Sequence, residues 1–240
     1  MKNVIGIDPS LLSTAMCIST PDGDKLFSFY KDKKFGKWEK IAESYICMHL
    51  TTFKEYKSMS YSEEQIQKHL DYEKIVDRIV DVILDNIDDS LETYINVEGY
   101  SYSSNAGPLI DLVTFSTLLR DSLIKHVTEN ITITAPGELK KGCAMLVYDK
   151  GPDKMYRNNQ IQENGKGLAG GSFKKPQMAL AMIDYYGKTG KKINANIYDF
   201  LTSYKDEVFS MSGFPKPFDD IIDSIWLCEL MKSKVATLSI

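Results

Sequence analysis

Four acids in three local contexts carry the pattern that phosphodiester cleavage requires. Asp8 ends the mostly apolar run Asn3-Val4-Ile5-Gly6-Ile7, and Glu98 ends a second such run, Tyr94-Ile95-Asn96-Val97. Asp220 and Asp223 lie in Pro217-Phe218-Asp219-Asp220-Ile221-Ile222-Asp223-Ser224, where a separation of three places both on one helix face. Cleaving a phosphodiester means activating water and neutralising charge on the attacking and leaving oxygens, and two divalent ions about 3.5–4 Å apart do both. Three or four carboxylates on rigid supports such as strand ends can hold such a pair.

A plainer reading competes at each position. Asp8 precedes Pro9, and Asp-Pro commonly opens a turn. Asp219 and Asp220 follow a proline at a helix start, where capping and the helix dipole favour acids. Asp223 resists that account. It sits in the second turn beside Ile222 and Ile225, next to a face that should be buried, where a carboxylate is costly without a partner. Glu98 also follows a buried strand, and Gly99 after it permits close approach of backbone or ligand.

The 240 residues suit one large domain, expected to span 1–240 with a glycine-rich loop insertion at about 148–172. Apolar residues make up 43% and charged residues 26%, without a run near the roughly eighteen apolar residues of a membrane span, so no membrane partner is expected. Cys17, Cys47, Cys143 and Cys228 form no C-x-x-C pair, which argues against a zinc site and a disulfide framework and favours a reducing cytoplasm. The start of the chain enters a strand directly, so no signal peptide is expected. His49, His69 and His126 have no metal-ligand spacing. A bound metal would therefore be held by oxygen, which selects Mg²⁺, with Mn²⁺ as a substitute. The net charge of −4 disfavours a nucleic-acid partner, although local basic clusters govern phosphate affinity. Such clusters are Lys31, Lys33, Lys34, Lys37 and Lys40 around Trp38; Lys140 with Lys141; Lys174 with Lys175; and Lys188, Lys191 and Lys192.

The elements that must position the acids follow from periodicity. Residues 2–7, 14–19 and 25–30 read as strands, the last two joined by Pro21-Asp22-Gly23-Asp24, a strong hairpin signal. Residues 36–60 fit either a helix or a further strand. A helix is expected over 62–87, a strand over 93–97, and a helix from Pro108 to about Val127 that is apolar around much of its circumference. Such a helix is either a central core helix or a subunit interface. A strand at 131–134 and helices at about 138–145, 174–186 and 219–233 complete the reading. A hairpin start followed by β-α-β alternation implies a mixed sheet with helices packed on it.

Taken together, the motifs resemble the RuvC family of Holliday-junction resolvases, in the ribonuclease H-like superfamily. Ile5-Gly6-Ile7-Asp8-Pro9-Ser10 is similar to the family's opening G-I-D-P-G segment, with Ser10 in place of glycine, and Val97-Glu98 to its second acidic motif. Thr134-Ala135-Pro136-Gly137-Glu138-Leu139-Lys140 and Phe173-Lys174-Lys175-Pro176-Gln177-Met178 resemble its two lysine-bearing segments. Asp220-Ile221-Ile222-Asp223-Ser224-Ile225-Trp226 is similar to its closing D-x-x-D motif.

The resemblance implies an α/β ribonuclease H-like fold with a five-stranded mixed sheet and helices on both faces. It gives Asp8, Glu98, Asp220 and Asp223 catalytic, metal-binding roles around two Mg²⁺ ions per site. It further implies a homodimer that cuts symmetric strands of a four-way DNA junction, with the helix from Pro108 at the dimer face. Lys140, Lys174 and Lys175 would contact DNA. Family members often carry an aromatic wedge where this chain has Ser101, and the flanking Tyr100 and Tyr102 are the residues able to stack on an unpaired base. The long glycine-rich spacing between Lys140 and Lys174 points to a divergent phage or viral branch working in the host cytoplasm, whose substrates extend to other branched DNA. Two alternatives remain open: a ribonuclease H-like nuclease acting on RNA or RNA–DNA hybrid, and an ATP-binding protein of the actin and sugar-kinase type, which needs a glycine-rich phosphate loop after an acid and a strand.

Overall fold

The computed structural model describes residues 1–11, 13–31, 35–53, 56–100, 106–148, 174–211 and 213–237. The glycine-rich stretch, Tyr102 and the wedge position at Ser101 lie outside them. The described strands are β1 (Asn3–Asp8), β2 (Ser13–Thr20), β3 (Gly23–Lys31), β4 (Cys47–Thr51), β5 (Thr93–Glu98) and β6 (Ile131–Thr134). The helices are α1 (Lys37–Ala42), α2 (Tyr61–Leu84), α3 (Ala106–His126), α4 (Pro136–Tyr148), α5 (Lys175–Thr189), α6 (Ala195–Ser203), α7 (Lys205–Ser210) and α8 (Phe218–Thr237).

All six strands join one mixed sheet in the order β4-β3-β2-β1-β5-β6. β1, β2 and β3 form an antiparallel meander, while β5 is parallel to β1 and β6 parallel to β5. This is the expected mixed sheet covered by helices, with six strands where five were expected. The sixth, β4, runs parallel to β3 at the sheet edge and comes from the stretch 36–60 whose pattern was undecided. Its residues are mostly half-exposed, with Leu50 58% accessible, so burial imposed no clear alternation on it.

Strand alternation divides the interior into two cores. Ile5 and Ile7 of β1, Met16 and Ile18 of β2, and Ile95 and Val97 of β5 face a layer made by α2 and α3, which contributes Ile75, Ile79, Ile83, Phe115, Leu119 and Leu123. On the other face, Val4, Ala15 and Cys17 pack under α4, α5, α6 and α8. Burying a side chain such as Ile5 or Phe115 contributes about 1.5–3 kcal/mol relative to exposure, so these two layers supply the main drive to fold. Helix α2 begins in a capping box: the Ser60 hydroxyl accepts from the Glu63 N–H, and the Ser60 N–H donates to the Glu63 carboxylate at 2.8 Å. Among the described residues no helix is long and apolar enough to cross a membrane.

Helix α8 carries Asp220 and Asp223. It lies across β1, β2 and β5 and is buried from Ile221 to Cys228. Trp226 donates its indole N–H to the Met178 carbonyl of α5 at 3.1 Å, and Phe218 stacks face to face on Phe200 of α6. Neither α6 nor α7 was expected. The apolar spacing Ile197, Phe200, Leu201 behind the Asn194 cap could have revealed α6.

Candidate metal centre

Three acids meet at one end of the sheet. The parallel register pairs Gly6 with Asn96 and Ile7 with Val97, so the next residues, Asp8 and Glu98, emerge side by side. Alternation sends both to the α8 face, in step with Gly6 and Asn96. Gly6 lets the helix descend: a Cβ there would lie 2.0 Å from the Ser224 carbonyl oxygen and 2.5 Å from the Cys228 nitrogen. Asn96 fixes the second contact, donating to the Leu227 carbonyl at 3.0 Å and accepting from the Thr134 hydroxyl at 2.7 Å. Asp223, the residue before Ser224, is thereby delivered to the strand ends. One carboxylate oxygen from each of Asp8, Glu98 and Asp223 lies within 4.8 Å of the other two.

The electrostatics of this group call for a cation. Burial pushes the Asp8 carboxyl well above the usual carboxylate range, helped by the nearby Glu98 and Asp220 and opposed by Lys175. Asp223 is 6% exposed, and its Oδ1 is buried without a hydrogen-bond partner. An orphaned buried carboxylate oxygen is expensive unless something positive completes it. Hard oxygen donors, a like-charge crowd and an unfilled acceptor together fit a divalent ion such as Mg²⁺ or Mn²⁺.

Asp220 stands apart from the three. It is 6% exposed and close enough to raise the Asp8 pKa, but its carboxylate is occupied by Lys216, whose ammonium lies 2.5 and 2.7 Å from the two oxygens. Lys216 also reaches the Asp219 carboxylate at 3.3 Å. Burial, then the neighbouring Asp220, push Asp219 up to about 6, against the pull of Lys216 and Lys175. The sequence reading did not include Lys216. Its only signal is the i, i+4 offset from Asp220.

The expected DNA-contacting residues are placed differently from one another. Lys175, at the start of α5, donates to the Asp223 carboxylate and to the Asp219 carbonyl at 2.9 Å, so it faces the acids. Lys174 beside it is exposed, and Lys140 is half-exposed on α4, the helix that follows β6. Tyr100 is held by Arg120 of α3, which donates to its hydroxyl and stacks its guanidinium 5.3 Å from the ring centre. In the basic cluster around Trp38, the described contacts of Trp38, Lys31 and Lys37 are within the chain. Trp38 is buried against Phe200, Tyr204 and Phe218, Lys37 pairs with Glu207, and Lys31 sits over the Phe53 ring.

No protein-family model matches the chain, and no curated protein matches it. Among solved structures, it is similar to RuvC of Thermus thermophilus in complex with Holliday junction substrate, with a TM-score of 0.42 and 11% identity over 99% of this chain and 96% of that one. A second Thermus thermophilus RuvC structure gives a TM-score of 0.40 and 12% identity over the same shares. At such distances the functional reading rests on strand order and on the three convergent acids.

Proposed function

We propose that this chain is a metal-dependent endonuclease of the RuvC type that cuts four-way DNA junctions as a homodimer, from a divergent phage or viral branch. The observation that carries the proposal is the convergence of Asp8, Glu98 and Asp223 from two adjacent strand ends and a crossing helix. A divalent ion bound there would supply charge neutralisation at the phosphate and an activated water. The protein's own contribution is rigidity. Asp8 and Glu98 are spaced by sheet register, Asp223 is oriented by Lys175, and Asn96 holds α8 against β5. The exposed Lys174 and the half-exposed Lys140 suit phosphate contacts, whose strength would fall steeply with salt. Tyr100 and Tyr102 are the aromatic residues proposed to stack on an unpaired base.

Dimerisation is supported by α3. Ile110 is 65% and Ile124 49% exposed, and Ile66 on the adjacent α2 is 60% exposed. Exposed apolar residues on these two neighbouring helices are the surface proposed for association.

The test is incubation with Mg²⁺ and labelled four-way junction, flap, duplex, RNA–DNA hybrid and RNA. Symmetric nicks near the crossover support the resolvase. Cutting confined to RNA or hybrid would reassign the substrate and leave the site intact.

A further inference from the structure

We infer, building on the metal-site reading above, that Lys216 takes the place of a second divalent ion, so that the site binds one ion per chain. A two-ion site needs ligands for both ions, and the two acids that α8 contributes differ in what they leave free. Asp223 accepts from Lys175 through one oxygen and keeps the other buried without a partner, beside Asp8 and Glu98. Asp220 has both oxygens engaged by one ammonium group, at 2.5 and 2.7 Å, with its side chain 8% exposed.

Lys216 is well suited to that position. It lies four residues before Asp220 in the segment leading into α8, and its side chain, 38% exposed, reaches back to the acids at the helix start. Its ammonium is a compact point charge, nearer to a metal ion in shape than a guanidinium would be. It contacts Asp219 as well as Asp220 and so offsets the two acids at the helix start with one group. An ion seeking Asp220 would have to displace Lys216 and leave that lysine without its carboxylate partners. The crowd of like charges around Asp8 is then relieved from two sides, by an ion on Asp8, Glu98 and Asp223 and by the fixed lysine on Asp220.

The experiment counts ions rather than turnover. Mn²⁺ is titrated into the full chain by calorimetry, with free Mn²⁺ followed by electron paramagnetic resonance. Wild type should take up one Mn²⁺, Lys216→Gln two, and Lys216→Arg one because the charge is kept. Asp220→Asn should retain the single ion with affinity changed by less than about tenfold, the low end of the loss when a metal site's supporting residues are removed. Two ions bound by wild type would overturn the role of Lys216. So would one ion bound by Lys216→Gln with an unchanged circular dichroism spectrum and a cooperative melt. If Lys216→Gln fails to fold, Asp220→Asn decides: retention of the ion supports the assignment, and its loss overturns it. A wild type that binds no Mn²⁺ would remove the metal reading itself, whereas a count of two leaves that reading standing.

Discussion

Gly6 and Ser224 meet backbone to backbone, so closely that a Cβ on Gly6 would lie 2.0 Å from the Ser224 carbonyl oxygen. That contact sets the height of α8 above β1 and brings Asp223 to Asp8. Gly6→Ala should therefore do more than strain a strand. The helix must lift, at a cost of about 3 kcal/mol, the upper part of the overpacking range. Urea denaturation should show that loss together with weakened Mn²⁺ binding. Gly187→Ala is the counterpart: nothing lies within 4 Å of its Cβ position on α5, so the change should stabilise the protein by about 0.5–1 kcal/mol. Equal effects at the two glycines would contradict the packing account.

Asp219 gives a pH dependence whose sign is opposite to that of an ordinary salt-bridged acid. Its pKa is raised from 3.8 to about 6, so the folded protein holds a proton there that the unfolded chain releases. The associated stability is fully present below about pH 4 and is lost as pH rises through about 6. The raised Asp8 carboxyl acts in the same direction. In metal-free protein, thermal midpoints measured between pH 4 and 7 should carry this downward contribution as pH rises. Asp219→Asn should flatten the profile in that window, and a profile unchanged by the substitution would count against the buried-acid picture.

The exposed apolar residues of α2 and α3 predict a concentration-dependent dimer. Ile110 projects from α3 with 65% of its surface accessible, so Ile110→Asp should leave the circular dichroism spectrum and the cooperativity of the melt unchanged, with the midpoint lowered only by the lost association. It should nevertheless convert dimer to monomer in sedimentation velocity. A monomeric wild type at tens of micromolar would contradict the dimer, and a variant that still dimerises would move the interface elsewhere.

Some of this could be read directly from residue order. Asp8 and Glu98 each end a run of apolar residues, and although Asp8 alone could open a turn with Pro9, the two acids ending two strands form a pattern that a turn does not explain. Asp223 announced itself by lying next to a buried face. The division of labour between Asp223 and Asp220 was not legible, because it depends on Lys216, which precedes the helix and carries no periodic signal. Lys175 was recognisable as a cation near the site, but its orientation toward Asp223 depends on how α5 packs beneath α8 through Trp226 and Met178. The edge strand β4 escaped because a short, half-exposed segment lacks alternation, and His49 within it is positioned by stacking on Phe29. Trp38 misled in the opposite way. Lysines around an aromatic fit either a solvated face or a nucleic-acid surface, yet the indole anchors the core beside the start of α8.

The most direct test of the central claim is a paired measurement on Asp8→Asn and Glu98→Gln with a labelled four-way junction in Mg²⁺. Each substitution removes a ligand charge from the convergent triad while preserving shape. The loss of several kcal/mol of transition-state stabilisation corresponds to cutting slowed by about a thousandfold or more. Junction binding in a shift assay without divalent metal should remain within a few-fold of wild type, since the proposed phosphate contacts are Lys140 and Lys174. Cleavage by either variant at the wild-type rate would contradict the account.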